Sequence, residues 1–76
     1  MPIDDTVVHV EASALRLDTT ASPILYLGEA LVGTSDAAPH WRIRKLDTTN
    51  GVDMWWAEGT PAYVHVWNDR ATLTYS

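Results

Sequence analysis

Cysteine and phenylalanine are absent from this 76-residue sequence, and cationic residues are scarce: five Lys and Arg against ten Asp and Glu give a formal net charge of −5. Without cysteine no disulfide braces the fold, which agrees with a protein made and kept in a reducing cytosol. The histidines His9, His40 and His65 stand far apart, none with a partner at zinc-ligand spacing, so no structural metal is expected. A chain this short buries only about 60% of the surface its unfolded form exposes. With disulfide and metal set aside, association with other subunits is the leading reinforcement.

Other absences narrow the function. The longest apolar runs, Pro23 to Leu27 and Ala30 to Val32, fall far short of the roughly 20 residues of a membrane-spanning helix. Asp4 and Asp5 stand where a secretory signal carries positive charge, so no membrane partner is expected. An acidic chain gains nothing from counterion release on a phosphate backbone, so nucleic acid is not an expected partner. The one basic cluster, Arg42, Arg44 and Lys45, is too short to change that and reads as the solvated edge of a strand. Gly28, Gly33, Gly51 and Gly59 are isolated turn glycines, not a phosphate loop. Asp4 and Asp5 are not followed by the spaced acids a calcium ion needs. No base stands near a nucleophile. The pair Asp69 and Arg70 reads as a structural turn that bonds local backbone and a neighbouring strand, and His65 as a half-exposed structural histidine. No catalytic, cofactor-binding or metal residue is assigned, and the chain reads as a non-enzyme.

What is present is a folded composition, 46% hydrophobic and 20% charged. Thr6 to Leu17 alternates with period two and is rich in β-branched residues, which predicts a strand. Asp18 to Pro23 reads as a connection. Ile24 to Gly28 predicts a buried strand ended by a bend at the glycine, with Glu29 to Val32 continuing past an irregularity and a loop over Gly33 to Pro39. Asn50-Gly51 between two β-rich runs predicts a hairpin over residues 41–57 closed by a two-residue turn. That turn pairs Thr49 with Val52, Asp47 with Met54, Leu46 with Trp55 and Lys45 with Trp56. Ala62 to Trp67 reads as a short strand or irregular turn, and Ala71 to Tyr75 as a closing strand. The expected architecture is an all-β single domain over residues 6–76, preceded by a flexible segment 1–5. It is a small antiparallel β-sandwich or β-barrel-like fold of four to six short strands.

The surplus is aromatic: Trp41, Trp55, Trp56 and Trp67, with Tyr26, Tyr63 and Tyr75. Consecutive strand residues face opposite sides, so Trp55 and Trp56 cannot enter the same core. An indole left outside is covered by another subunit or offered to a sugar ring.

The stretches Tyr26 to Ala30, Trp41 to Asp47, Trp56 to Gly59, Val66 to Arg70 and Leu73 to Tyr75, in that order and spacing, resemble a family of small tailed-bacteriophage proteins. The resemblance covers residues 26 to 75. Three positions depart from the family pattern: Met54-Trp55 is bulkier, Glu58 replaces the commoner aspartate, and Asn68 stands where an acid is usual. The resemblance implies a virion structural component, such as a head decoration, fibre-associated or tail-associated subunit, assembled in the host cytoplasm. Its partners would be other copies of itself and other capsid or tail proteins. It transfers no catalytic residue. Trp41, Trp56 and Trp67, which lie in the shared motifs, are the core candidates. Trp55, with Tyr63, Arg42 and Arg44, is the contact candidate, while Asn50, Gly51, Asp69 and Arg70 are structural turn residues. The alternative is a carbohydrate-binding module that contacts host surface glycans through an exposed tryptophan.

Overall fold

A computed structural model of the chain describes residues 13–76. The expected flexible segment 1–5 and the first half of the strand expected from Thr6 lie outside them. The domain is all-β: β1 (Ser13–Ala21), β2 (Ile24–Leu31), β3 (Arg42–Asp47) and β4 (Asp53–Trp56) form one open antiparallel sheet in that order. The second layer is irregular chain, residues 57–76, folded back across one face. Among the described residues there is no α-helix, only a single 3₁₀ turn at Trp67–Asp69.

β1 extends past the expected strand, since Asp18 to Ala21 belong to it and do not form a connection. Asp18 explains the extension, because its carboxylate accepts the Thr20 N–H at 2.9 Å and the Thr20 hydroxyl at 2.6 Å. This local bonding coincides with a register shift between Asp18 and Ala21, an irregularity that twists the strand into the turn at Ser22-Pro23.

Gly28 is not a bend. β2 runs through it without interruption, pairing it with Arg16 on one side and Ile43 on the other. Its missing side chain makes room for the second layer: a Cβ there would lie 2.5 Å from Cε3 and 2.7 Å from Cζ3 of Trp67, and 3.2 Å from Cε3 of Trp41. Trp41 and Trp67 pack against each other above this gap, ring centroids 5.9 Å apart and tilted by 39°. Trp41 and Ile43 are fully buried, and Ala30, Ala57 and Trp67 complete the core. Ala14, Tyr26, Leu73 and Tyr75 pack around it.

The expected hairpin forms, but its register differs by one residue. The partners are Arg44 with Trp56, Lys45 with Trp55, Leu46 with Met54 and Asp47 with Asp53. The connection is therefore the five residues Thr48–Val52 and not a two-residue Asn50-Gly51 turn. The cause lies upstream of Asn50. The Asp47 carboxylate takes the Thr49 N–H at 2.9 Å, and the N–H and hydroxyl of Thr48 bind the Pro23 carbonyl at 3.1 and 2.9 Å. The ladder is thus broken off at Asp47. Gly51 alone in this loop takes a positive φ, +91°. Because side chains alternate with period two, a one-residue slip exchanges the faces of every β4 residue relative to β3.

The C-terminal layer is held by isolated contacts. Trp41 and His65 exchange backbone hydrogen bonds at 2.9 and 3.0 Å, which leaves His65 buried and not half-exposed. The segment Ala71 to Tyr75 is not a strand; it makes one bridge, Tyr75 to Ala57, flanked by mutual bonds between Trp56 and Ser76. Arg70 ties this layer to the far edge of the sheet, its Nε donating to Asp18 at 2.8 Å while an Nη donates to the Trp67 carbonyl at 3.0 Å. The Tyr75 hydroxyl closes on the Arg70 carbonyl at 2.7 Å.

Two outcomes follow. Gly28→Ala forces a methyl group into the Trp67 ring, and denaturant unfolding should show a loss of about 1–3 kcal/mol; an unchanged midpoint contradicts the close approach. The Thr20 hydroxyl and N–H, then Arg70, hold the Asp18 carboxyl at about 2, below its ordinary 3.8. Because the folded value is the lower, this contribution is complete above the unfolded value and is lost as pH falls toward 2. Asp18→Asn should therefore lower the thermal midpoint at neutral pH, and the gap from the parent protein should close in acid. A gap that persists at about pH 2 counts against the ion pair.

Candidate functional site

The two faces of the sheet differ in an unusual way. On β1 the polar residues Arg16 and Asp18 turn toward the packed side, where Arg16 pairs with Asp36 of the β2–β3 connection at 3.3 Å and Asp18 with Arg70 of the C-terminal layer at 2.8 Å. The leucines turn outward. Leu15 is 59% exposed and Leu17 61%, and across the same face stand Leu31 at 70% and Met54 at 45%. Leu25, Leu27, Leu46 and Trp56 lie between them, half-buried. An antiparallel sheet with one wet face ordinarily places polar residues outward. Among the described residues, the face left open is the leucine-rich one.

At the centre of that face is a single carboxylate. Glu29 on β2 pairs with Arg42 on β3, and its Oε1 receives Arg42 Nε at 3.0 Å, Arg42 Nη2 at 2.8 Å and Arg44 Nη2 at 2.5 Å. Partial burial opposes its charge, but the hydrogen bonds and charges of Arg44 and Arg42 outweigh that and leave the carboxyl below its usual range. Arg42 also lies over the rings of Trp56 and Tyr63, at 5.4 and 4.9 Å, and Arg44 lies over Trp56 at 4.8 Å. The three bonds converge on Oε1, and the two guanidiniums hold the carboxylate ionised, a polar island within an apolar face.

No family model matches this chain. Comparison with curated proteins and with solved structures likewise returns no match.

The structure brings three of the contact candidates, Arg42, Arg44 and Tyr63, onto or beside the open face. Trp55 stands apart from them. The register places it on the packed face, half-buried, with the Lys45 ammonium 5.2 Å from its ring centroid. Trp56, expected in the core, is instead the half-buried indole of the open face. Of the turn residues, Asn50 and Gly51 sit in the Thr48–Val52 connection, Asp69 accepts the N–H and hydroxyl of Thr72, both at 2.8 Å, and Arg70 makes the cross-layer ion pair. Sequence reasoning missed Glu29 and the outward leucines. Their signal is the partnership of Glu29 with Arg42, thirteen residues apart, visible only once β2 and β3 are in register.

A cleft of about 520 Å³ opens at one end of the face, lined by Ala30, Leu31, Thr34, His40 and Tyr63. Its volume suits a small ligand, but no charged side chain lines it. Among the described residues no group of three or more His, Asp or Glu could hold a metal ion, and no helix is long and apolar enough to cross a membrane.

Glu29→Gln leaves two guanidiniums facing each other without their shared anion. Chemical denaturation should show a loss of about 1–3 kcal/mol, whereas an unaffected midpoint would mean that the cluster contributes no net stability.

Proposed function

We propose that this domain is a structural subunit of a bacteriophage particle, a head decoration, fibre-associated or tail-associated protein that acts by subunit contact and not by catalysis. The observation that supports this reading is the open leucine face. Contiguous apolar patches of more than a few hundred Å² are rare on monomers and mark interaction surfaces. The motifs of residues 26 to 75 supply the phage setting, and a thin second layer suits a protein stabilised by its assembly.

Glycan binding is the competing reading, and the aromatic geometry weighs against it. Sugar stacking wants a bare ring face bordered by free hydrogen-bonding groups. One side of Trp56 already carries Arg42 and Arg44, and one side of Trp55 carries Lys45.

Mass spectrometry of purified particles from the phage that encodes the chain should recover it in many copies, with its gene beside head or tail genes. Its absence from particles contradicts the virion reading. Oligosaccharides should leave the tryptophan fluorescence unmoved; a saturable shift would transfer the function to glycan recognition.

A further inference from the structure

We infer that the occupant of the leucine face is a second copy of this chain, packed sheet against sheet about a twofold axis so that the two open faces form one buried layer. The inference rests on the reading of that face as a contact surface and names its partner.

Area is the first support. Four strands about 4.8 Å apart and some seven residues long at about 3.4 Å per residue give a face of roughly 450 Å². Two such faces bury about 900 Å² before side-chain relief is counted, close to the ~1,000 Å² that marks a specific interface. The face is thus large enough for one partner sheet. Its leucine ridges can interdigitate with an identical set at the ~10 Å spacing of packed sheets.

Charge is the second. The chain carries −5, yet the charged residues of this face are Glu29, Arg42 and Arg44, a balance of +1. The described residues hold seven acids and five bases, a net −2, so those outside this face hold −2 − 1 = −3. Contact through that acidic remainder works against like charge, whereas the open face is nearly neutral and pairs its carboxylate internally. Self-contact on this face buries no unpaired acid.

The third is the inverted polarity of β1. Arg16 and Asp18 lie on the packed side, where each has an ion-pair partner, Arg16 still in solvent, while Leu15 and Leu17 stand on the open side. In a lone monomer this exposes apolar area; in a face-to-face dimer the same pattern supplies the centre of a sandwich.

The test is sedimentation equilibrium of the full chain at micromolar concentration, beside a Leu17→Glu/Leu31→Glu double variant and the milder Leu17→Lys. Both sites are exposed positions of the face, so the fold is expected to survive, and near-ultraviolet circular dichroism of the Trp41–Trp67 pair verifies it. The parent chain should sediment at twice the monomer mass, and the double variant should weaken dimerisation by about a hundredfold or more. A parent chain that stays monomeric overturns the inference whatever the variants do. A folded variant that dimerises as tightly as its parent also overturns it and moves the contact to another surface, such as the β1 edge. The outcomes separate this inference from the virion setting: a monomer recovered from particles in many copies overturns the dimer alone, while a dimer missing from particles overturns the setting alone.

Discussion

The seating of Trp67 on Gly28 is the contact on which the rest of this domain depends. A single four-stranded sheet has no interior of its own; it gains one only where another layer lies on it. Here that layer is one indole deep. Trp67 enters the space left by the glycine, meets Trp41, and so fixes the height at which residues 57–76 cross the sheet. The Arg70–Asp18 pair and the Tyr75 hydroxyl then fasten the crossing chain at its margins. Few buried residues are involved, which accords with the narrow stability expected of so short a chain.

Among the described residues one face is covered and the other is left open, and the side-chain choices on the two differ. On the packed side Arg16 pairs with Asp36, Asp18 with Arg70, and Lys45 lies over Trp55 and Tyr75. Among the described residues the charged groups of the open side, Glu29, Arg42 and Arg44, are bound to one another, and around them stand leucines, Met54 and Trp56. Desolvation is costly for unpaired charge and favourable for apolar area. The open face is built so that covering it costs little.

The all-β class, the domain's strand count and the hairpin between 41 and 57 were legible because they follow from local signals: period-two alternation, β-branched runs, and glycine or proline at the turns. The register was not. Asn50-Gly51 is a valid turn signal, but Asp47 and Thr48 act before it, one through its carboxylate on the Thr49 N–H and the other through Pro23, twenty-five residues away. That long-range bond moved the pairing by one residue and exchanged the places expected for Trp55 and Trp56. Gly28 was misread for a similar reason, since its role is set by Trp67, a residue no local window includes. Glu29 escaped notice because an isolated acid acquires meaning only when β3 lies beside it.

The account stands on the claim that the leucine face is engaged by protein. Hydroxyl-radical footprinting reads this directly, side chain by side chain, on the free chain across a range of concentration and on assembled particles. Leu17, Leu31 and Met54, all exposed on that face, should become protected as the chain associates. Equal labelling of all three in dilute and assembled states would contradict the account.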